Sequence, residues 1–248
     1  MISALWKFRT VKGDVHMKKK ILASLLVGSA VVGASLAPLS AQAVTTGNTP
    51  VTVGFEGGSF PDHSSNNGGN VDPDPTKPNT DFDLLAIPKS FDFPFAKIDE
   101  DLSALKASLV PYKAVMVGDI RGTKEGWHVT GEIAEMRNGT DNLDGEISFY
   151  LVPYYAVYNS GVKYYESLSN SNGKNIASDP TAPSFSGTSM KIGGGASTLM
   201  TASVGKGQGA WSGEFKDISL NVTTPMQQLK KGNYTGNITW NLVAGPSI

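Results

Sequence analysis

The chain has 248 residues, no cysteine and a net charge of −1, and 40% of its residues are hydrophobic. The lack of cysteine excludes a disulfide framework and an acylated lipoprotein cysteine. The charge gives no electrostatic reason to bind nucleic acid.

The N-terminal region has the organisation of a secretory signal peptide. Met17 starts a basic run over residues 18–20, an uncharged apolar stretch covers residues 21–36, and residues 41–43 (Ala-Gln-Ala) form a small-x-small cleavage site. We expect residues 1–43 to be the signal peptide, with Met17 as the true start and cleavage after Ala43. The alternative is a retained membrane anchor.

The predicted signal peptide changes the charge of what remains. Residues 1–43 carry six basic residues and one acidic residue, a net charge of +5, so the mature chain carries −6. No later segment is apolar enough to span a membrane. We therefore expect a secreted, acidic protein on the extracellular cell surface or cell wall, without a covalent anchor.

Residues 44–83 are low in complexity and rich in Pro, Asp and Asn. Such a composition cannot bury a core, and it predicts a flexible linker with polyproline II character. One stretch stands out within it, residues 51–55 (Val-Thr-Val-Gly-Phe), where apolar side chains alternate at period two. This alternation predicts one short strand that docks on the following domain.

Residues 84–248 have globular composition and suit a single domain. The pattern predicts an all-β fold, an antiparallel sandwich or a barrel-like domain, with long Gly-rich loops over residues 167–203. Asn138-Gly139 and Asp144-Gly145 are turn signals. Strands are expected at residues 114–117, 128–133, 146–152, 214–222 and 234–242.

One stretch has helical rather than strand spacing. Ile98, Leu102, Leu105 and Leu109 recur every three or four residues, and Asp99 is available as an N-cap. The spacing predicts one short helix.

Three tryptophans lie in strand-like runs. Trp127 shares a strand face with Val129, and Trp240 shares one with Leu242. This registry predicts a buried, structural Trp127 and Trp240, and it predicts that Trp240→Ala unfolds the domain at a cost of about 3–5 kcal/mol. The alternative is an exposed aromatic that stacks on sugar rings or anchors an interface.

The sequence does not decide between a buried and an exposed Trp211, because the flanking glycines would leave its side chain less covered. It matches Phe215 in registry, whereas the later apolar residues have shifted to even positions, which predicts a bulge near Lys216 and Asp217.

The other face of the last strand is polar. Thr235, Asn237, Thr239 and Asn241 form a ladder of short donors and acceptors. Such a face is either plain solvated surface or a strip that binds polyhydroxyl ligands. The candidate binding residues are therefore Trp127, Trp211, Trp240, Asn237, Thr239 and Asn241.

These segments together resemble the WxL domain, a cell-surface module of low-GC Gram-positive bacteria. The resemblance covers residues 84–248 and rests on four blocks in order: residues 87–93, 115–122 with Gly126 and Trp127, 207–211, and 231–246 around Trp240. The chain departs from the family pattern at Val129, where the family name expects Leu, and at Pro94, where Gly often closes the opening strand.

The resemblance implies non-covalent attachment to the cell wall. Peptidoglycan or another wall glycan is the implied ligand, and neighbouring WxL-family and WxL-interacting surface proteins are the implied partners. The domain either binds the wall glycan directly or binds a partner protein that itself binds the wall. Acidity and the expected burial of the tryptophans favour the partner version.

A secreted glycan-acting enzyme or carbohydrate-binding module is the alternative. A glycosidase needs two placed carboxylates, and Asp119, Glu132, Glu135 and Glu146 are the candidates. A Ser-His-Asp triad would need His128, and no nucleophile motif accompanies it. Asp119 and Arg121 are better explained as a salt-bridged turn. The acidic clusters at residues 99–101 and 141–144 lack calcium-loop spacing. We therefore expect no enzymatic activity, no metal and no cofactor.

Overall fold

A computed structural model describes residues 49–64 and 68–245. The predicted signal peptide lies outside these residues. The chain divides into two compact units, Met1–Thr52 and Val53–Ile248. The first contributes only residues 49–52 to the described part, so the account below concerns the second. No helix within the described ranges is long and apolar enough to cross a membrane.

The second unit is built almost entirely from antiparallel strands. Two single turns of 3-10 helix, Ile176–Ser178 and Met226–Gln228, interrupt them. The strands are β1 (Asn70–Val71), β2 (Phe82–Pro88), β3 (Leu105–Lys106), β4 (Ala114–Asp119), β5 (Trp127–Asn138), β6 (Asp141–Asn142), β7 (Gly145–Asn159), β8 (Tyr164–Leu168), β9 (Asn170–Ser171), β10 (Lys174–Asn175), β11 (Ser184–Phe185), β12 (Ser189–Lys191), β13 (Ser197–Ala202), β14 (Gly209–Val222) and β15 (Thr235–Ala244).

Two sheets form a sandwich. The large sheet has the order β1-β2-β4-β14-β7-β12, with β3 also on β14 and β8 also on β7. The small sheet has the order β11-β13-β5-β15, with β6 also on β5. Inward-facing residues of both sheets make one core, among them Val117, Val129, Leu151, Met200 and Phe215. The predicted all-β fold is confirmed, and the sandwich is the version found.

The predicted strands are also confirmed, since β4, β5, β7, β14 and β15 cover all five of them except for Tyr234. The registry slip in β14 is a real bulge. Its pairing with β7 shifts between Lys216 and Ser219, and Asp217 has a φ of 51°. The turn at Gly139 is confirmed too, because β5 and β6 pair on either side of it.

The large sheet is buried on both faces around β4, unlike the small sheet. Every residue of β4 is buried. Val115 and Val117 point into the main core, whereas Ala114 and Met116 join a second cluster with Tyr165 and Phe60. A central strand covered on both sides is mostly apolar, and β4 carries one charged side chain, Asp119 at its end.

The outer face of the large sheet is covered in part by residues that the sequence analysis assigns to the linker. The side chain of Asn70 accepts a hydrogen bond from the Ala114 backbone at 2.7 Å, and the Tyr165 hydroxyl donates to Pro61 O at 2.7 Å. His63 and Asn70 are buried, and β1 pairs with β2. Composition misses this segment because it is fixed to the sheet mainly by polar groups, with Phe60 as one apolar contact.

The expected helix is not found. Residues 98–109 form turns and the short strand β3. The Asp101 carboxylate accepts a hydrogen bond from the Ser103 backbone at 2.9 Å, a local turn that competes with helix formation. The apolar spacing arises because Ile98, Leu102 and Leu105 line one cleft, described below.

Three other expectations need correction. Residues 51–55 belong to no strand, and Val51, Val53 and Phe55 are 91%, 72% and 91% exposed. The opening strand expected at residues 87–93 lies earlier, as β2 (Phe82–Pro88). The Gly-rich stretch 167–203 is not all loop, because it contributes β13, which pairs with β5 and buries Leu199.

Candidate functional site

The outer face of the small sheet is polar and open to solvent. On β15, Asn237, Thr239 and Asn241 are exposed, as the alternation along the strand predicts. Asn237 lies at a bulge, because the pairing with β5 shifts between Gly236 and Ile238.

The register with β5 brings further polar residues to this face. Thr239 lies opposite Glu132, Asn241 opposite Thr130, and Val243 opposite His128. Directly paired residues point to the same side of a sheet. Hence Glu132 and Thr130 extend the polar strip of β15 into the middle of the sheet.

The strip continues onto β13, where the exposed Thr198 lies opposite Thr130. Thr198, Thr130 and Asn241 thus form one row across three strands. We define the polar face as Thr130, Glu132, Thr198, Asn237, Thr239 and Asn241. Sequence alternation places the β5 and β15 residues on a polar side, but it does not predict Thr198, and only the strand register brings the three strands together.

The polar face presents hydroxyl, amide and carboxylate groups without an aromatic platform. Such groups can exchange hydrogen bonds with sugar hydroxyls or peptide amides, each worth about 1 kcal/mol net. A binding role for Asn237, Thr239 and Asn241 stays a prediction.

The inward side of β15 faces a large apolar cleft. Ile238, Trp240 and Leu242 are each partly buried, and the Trp240 ring meets Phe215 edge-on at 5.9 Å. The cleft has a volume of about 1130 Å³. One wall is formed by residues 234–238 and Trp240, and the facing wall by residues 87–98 of the large-sheet side.

The other two tryptophans are buried. Trp127 has no exposed surface and Trp211 is 2% exposed. Both indole Nε1–H groups donate to one acceptor, the carbonyl oxygen of Gly207, at 3.0 and 2.9 Å. Their rings have almost no exposed surface with which to stack on a ligand.

Gly207 is the residue that sequence reasoning missed. Its φ is 77°, and a Cβ there would lie 2.3 Å from the Ala202 Cβ and 2.7 Å from the Trp127 Nε1. Only glycine fits that position. The run of glycines in residues 205–209 is a signal of a special backbone, but not of two indoles that share one acceptor.

Asp119 and Arg121 form the predicted salt-bridged turn. The Arg121 guanidinium binds the Asp119 carboxylate through two atoms, at 3.0 and 2.9 Å, and also contacts Glu125. It stacks 3.6 Å from the centre of the Phe82 ring and donates to Gly126 O at 3.3 Å. The hydrogen bonds that Arg121 donates to Asp119 raise the pKa of Arg121 above its ordinary value. The pair fixes the chain just before Trp127.

The carboxylates considered for glycan hydrolysis are dispersed. Asp119 is buried against Arg121, Glu135 pairs with Arg137 at 2.5 Å, and Glu132 stands on the polar face. No group of three or more metal-ligating side chains occurs in the part of the chain that the structure describes.

A smaller cavity of about 240 Å³ does contain two carboxylates. It is lined by Tyr112, Tyr164, Glu166, Ser167 and Glu214. Glu166 accepts from the Asn159 amide at 3.0 Å, and Glu214 is paired with Lys216. Both carboxylates are therefore already engaged, an arrangement typical of structure rather than of acid–base chemistry.

Comparison with known proteins gives one finding. The family model for the WxL domain, described as surface cell wall-binding, matches residues 42–246. The match therefore extends over the predicted linker as well as the sandwich. No curated protein and no solved structure matches the chain.

Proposed function

The chain belongs to the WxL family of surface cell wall-binding domains, and we propose that it is a secreted, non-enzymatic protein that binds peptidoglycan directly through its polar face. The observation that carries this proposal is the row Thr198, Thr130 and Asn241, open to solvent across three strands.

Several features support a polysaccharide ligand at this face. It extends across three strands, and its side chains both donate and accept hydrogen bonds. A long polymer can make many such bonds at once, so weak single contacts add up along it. The predicted charge of −6 for the mature chain argues against non-specific adhesion to anionic wall polymers.

Secretion rests on the signal-peptide pattern of residues 17–43. The non-enzymatic role rests on the pairing of Asp119 and Glu214 with basic side chains. Attachment through a partner surface protein is the competing version. In the sequence analysis, the expected burial of the tryptophans favours attachment through a partner. The polar face is accessible even with Trp127 and Trp211 buried, so their burial does not distinguish direct binding from attachment through a partner.

The test is retention of the purified mature chain on protein-free peptidoglycan, with crystalline cellulose as the control polymer. We expect saturable retention on peptidoglycan alone. We expect Thr239→Ala/Asn241→Ala to weaken it by about tenfold, the equivalent of 1.4 kcal/mol. Ser160→Ala/Gln227→Ala, which removes two exposed polar side chains elsewhere, is the matched control and should bind as the parent does.

Absence of retention by a folded parent chain would reject direct binding and leave the partner version. Retention that is insensitive to both double variants would place the site elsewhere on the surface. Release of soluble muropeptides during incubation would contradict the non-enzymatic role.

A further inference from the structure

The small sheet ends in an unusually unprotected strand. β15 pairs with β5 along its whole length, and no strand in residues 49–64 or 68–245 pairs with its other side. Its ten residues include no charge and no proline. Edge strands normally carry Lys, Pro or a bulge that blocks further pairing. The bulge of β15 lies at its start, so Ile238–Ala244 remain in regular register.

The orientation of the free backbone groups follows from one hydrogen bond. Gly245 N donates to Gly126 O at 3.0 Å, and this pair continues the register in which Ala244 lies opposite Trp127. Hydrogen-bonded pairs alternate along an antiparallel ladder. The backbone groups of Trp240, Leu242 and Ala244 therefore point away from β5, towards the open edge.

A strand added at this edge would lie beside the apolar cleft. The inward side chains of β15, Ile238 and Trp240, already form one wall of it. Side chains alternate along an added strand, so every second one would point inward next to them. The edge thus fits an extended segment in which apolar residues occur at alternate positions.

The same chain carries such a segment. Residues 51–55 have Val, Val and Phe at alternate positions, these three side chains are largely exposed, and the segment belongs to no strand. Residues 44–55 carry no charge, so electrostatic repulsion does not oppose pairing with the uncharged β15. Val, Thr and Phe also favour strands.

We propose that residues 51–55 of one copy of this chain add as a strand to the open edge of β15 in a second copy. The contact joins two different surfaces, so each copy still offers a free edge or a free segment to the next. Such head-to-tail contacts build open chains when the rotation between copies does not close, and rings when it does. The inference does not depend on glycan binding, because the edge and the polar face use different groups of β15.

The test is the molar mass of the purified mature chain over a wide concentration range, by sedimentation equilibrium. We expect the average mass of the parent to rise steadily with concentration. The segment variant Val53→Asp/Phe55→Asp should stay at the mass of one chain. The edge variants Leu242→Pro, which removes an outward N–H, and Asn241→Lys should do the same.

A matched control separates the edge from the sheet as a whole. Thr198→Lys places the same charge in the same cross-strand row, but two strands from the edge, and should associate as the parent does. Circular dichroism confirms that each variant is folded.

Mixing gives the decisive result. The segment variant has an intact edge, and Asn241→Lys has an intact segment, so an equimolar mixture should form 1:1 dimers that grow no further. A parent chain that stays monomeric would overturn the proposal, and so would a mixture that forms no dimers. Both results are expected if residues 51–55 pair with β15 of the same chain. A segment variant that associates as the parent does would overturn it too.

Discussion

The two ends of the sandwich use the same sequence pattern in opposite ways. At one end, where β5 and β14 begin, Trp127 and Trp211 are buried and share the carbonyl oxygen of Gly207. Trp240 lies opposite Gly131 within β5, is only partly buried, and faces a cleft of about 1130 Å³ that reaches the other end, where β5 and β14 finish. We call these the closed end and the open end.

The difference comes from the loops rather than from the strands. Each of the three tryptophans lies on the inward face of its strand. At the closed end the Gly-rich turn over residues 205–209 lies directly against both indoles. At the open end the irregular segment over residues 89–98 lines one wall of the cleft and does not fill it. A tryptophan motif therefore predicts an inward side chain, but the neighbouring loop decides whether a ligand or partner can reach it.

The largest expected effect contrasts the two ends directly. Trp127→Ala removes a fully buried indole and should lower the free energy of unfolding by about 3–5 kcal/mol. Trp240→Ala should lower it by only about 1–2 kcal/mol, because part of that ring is already in water. Urea denaturation of both variants measures the difference. The structure thus reduces the 3–5 kcal/mol that sequence registry predicts for Trp240→Ala.

Trp127→Phe is the control for the shared hydrogen bond. It retains most of the apolar surface and loses the Nε1–H, so it should cost less than Trp127→Ala. Equal costs for Trp127→Ala and Trp240→Ala would contradict the distinction between a closed and an open end.

The next effect tests whether the turn seals the closed end. Gly207→Ala should lower the free energy of unfolding by about 2–4 kcal/mol, since its Cβ would collide with Ala202 and with the Trp127 indole at a φ of 77°. Gly205→Ala is the matched control. Gly205 has a similar φ of 85°, but no atom lies within 4 Å of its added Cβ. It should cost only about 1 kcal/mol of backbone strain.

The difference between these two alanine variants isolates the contact with the indoles. If both variants lose the same stability, the turn acts only through its backbone conformation, and the shared acceptor is incidental.

Sequence reasoning predicts the strands of both ends well. Alternation over β5 and β15 gives the inward and outward faces, and the slipped registry in β14 gives the bulge near Asp217. These features are local, because they depend only on which neighbours along the chain share a face.

The features that distinguish the ends are not local. The joint acceptor at Gly207 lies 80 residues from Trp127 and four from Trp211, and no spacing rule joins them. The polar face depends on the register that sets Thr198 opposite Thr130 and Thr130 opposite Asn241. The helix predicted over residues 98–109 is wrong for the same reason, because Ile98, Leu102 and Leu105 line a cleft that exists only in the folded sandwich.

The smallest expected effect concerns pH and applies to the closed end. Tyr155 is buried there, its ring lies 5.3 Å from that of Trp211, and its hydroxyl donates to the Asp179 carboxylate at 2.9 Å. Burial, followed by the hydrogen bond and the charge of Asp179, raises the pKa of Tyr155 to about 12 from an ordinary value of 10. Burial likewise raises the pKa of Tyr112 to about 12.

The direction of the pH effect follows from these values. Between pH 10 and 12 the unfolded chain has released the tyrosine protons and the folded chain has kept them, so stability falls as pH rises. Below pH 10 this contribution is fully present. Denaturation midpoints should therefore decline between pH 10 and 12, and Tyr155→Phe should decline less steeply, because Tyr112 still contributes. If the stability of Tyr155→Phe falls as steeply with pH as that of the parent, ionisation of Tyr155 does not destabilise the closed end. Another part of the fold would then unfold first.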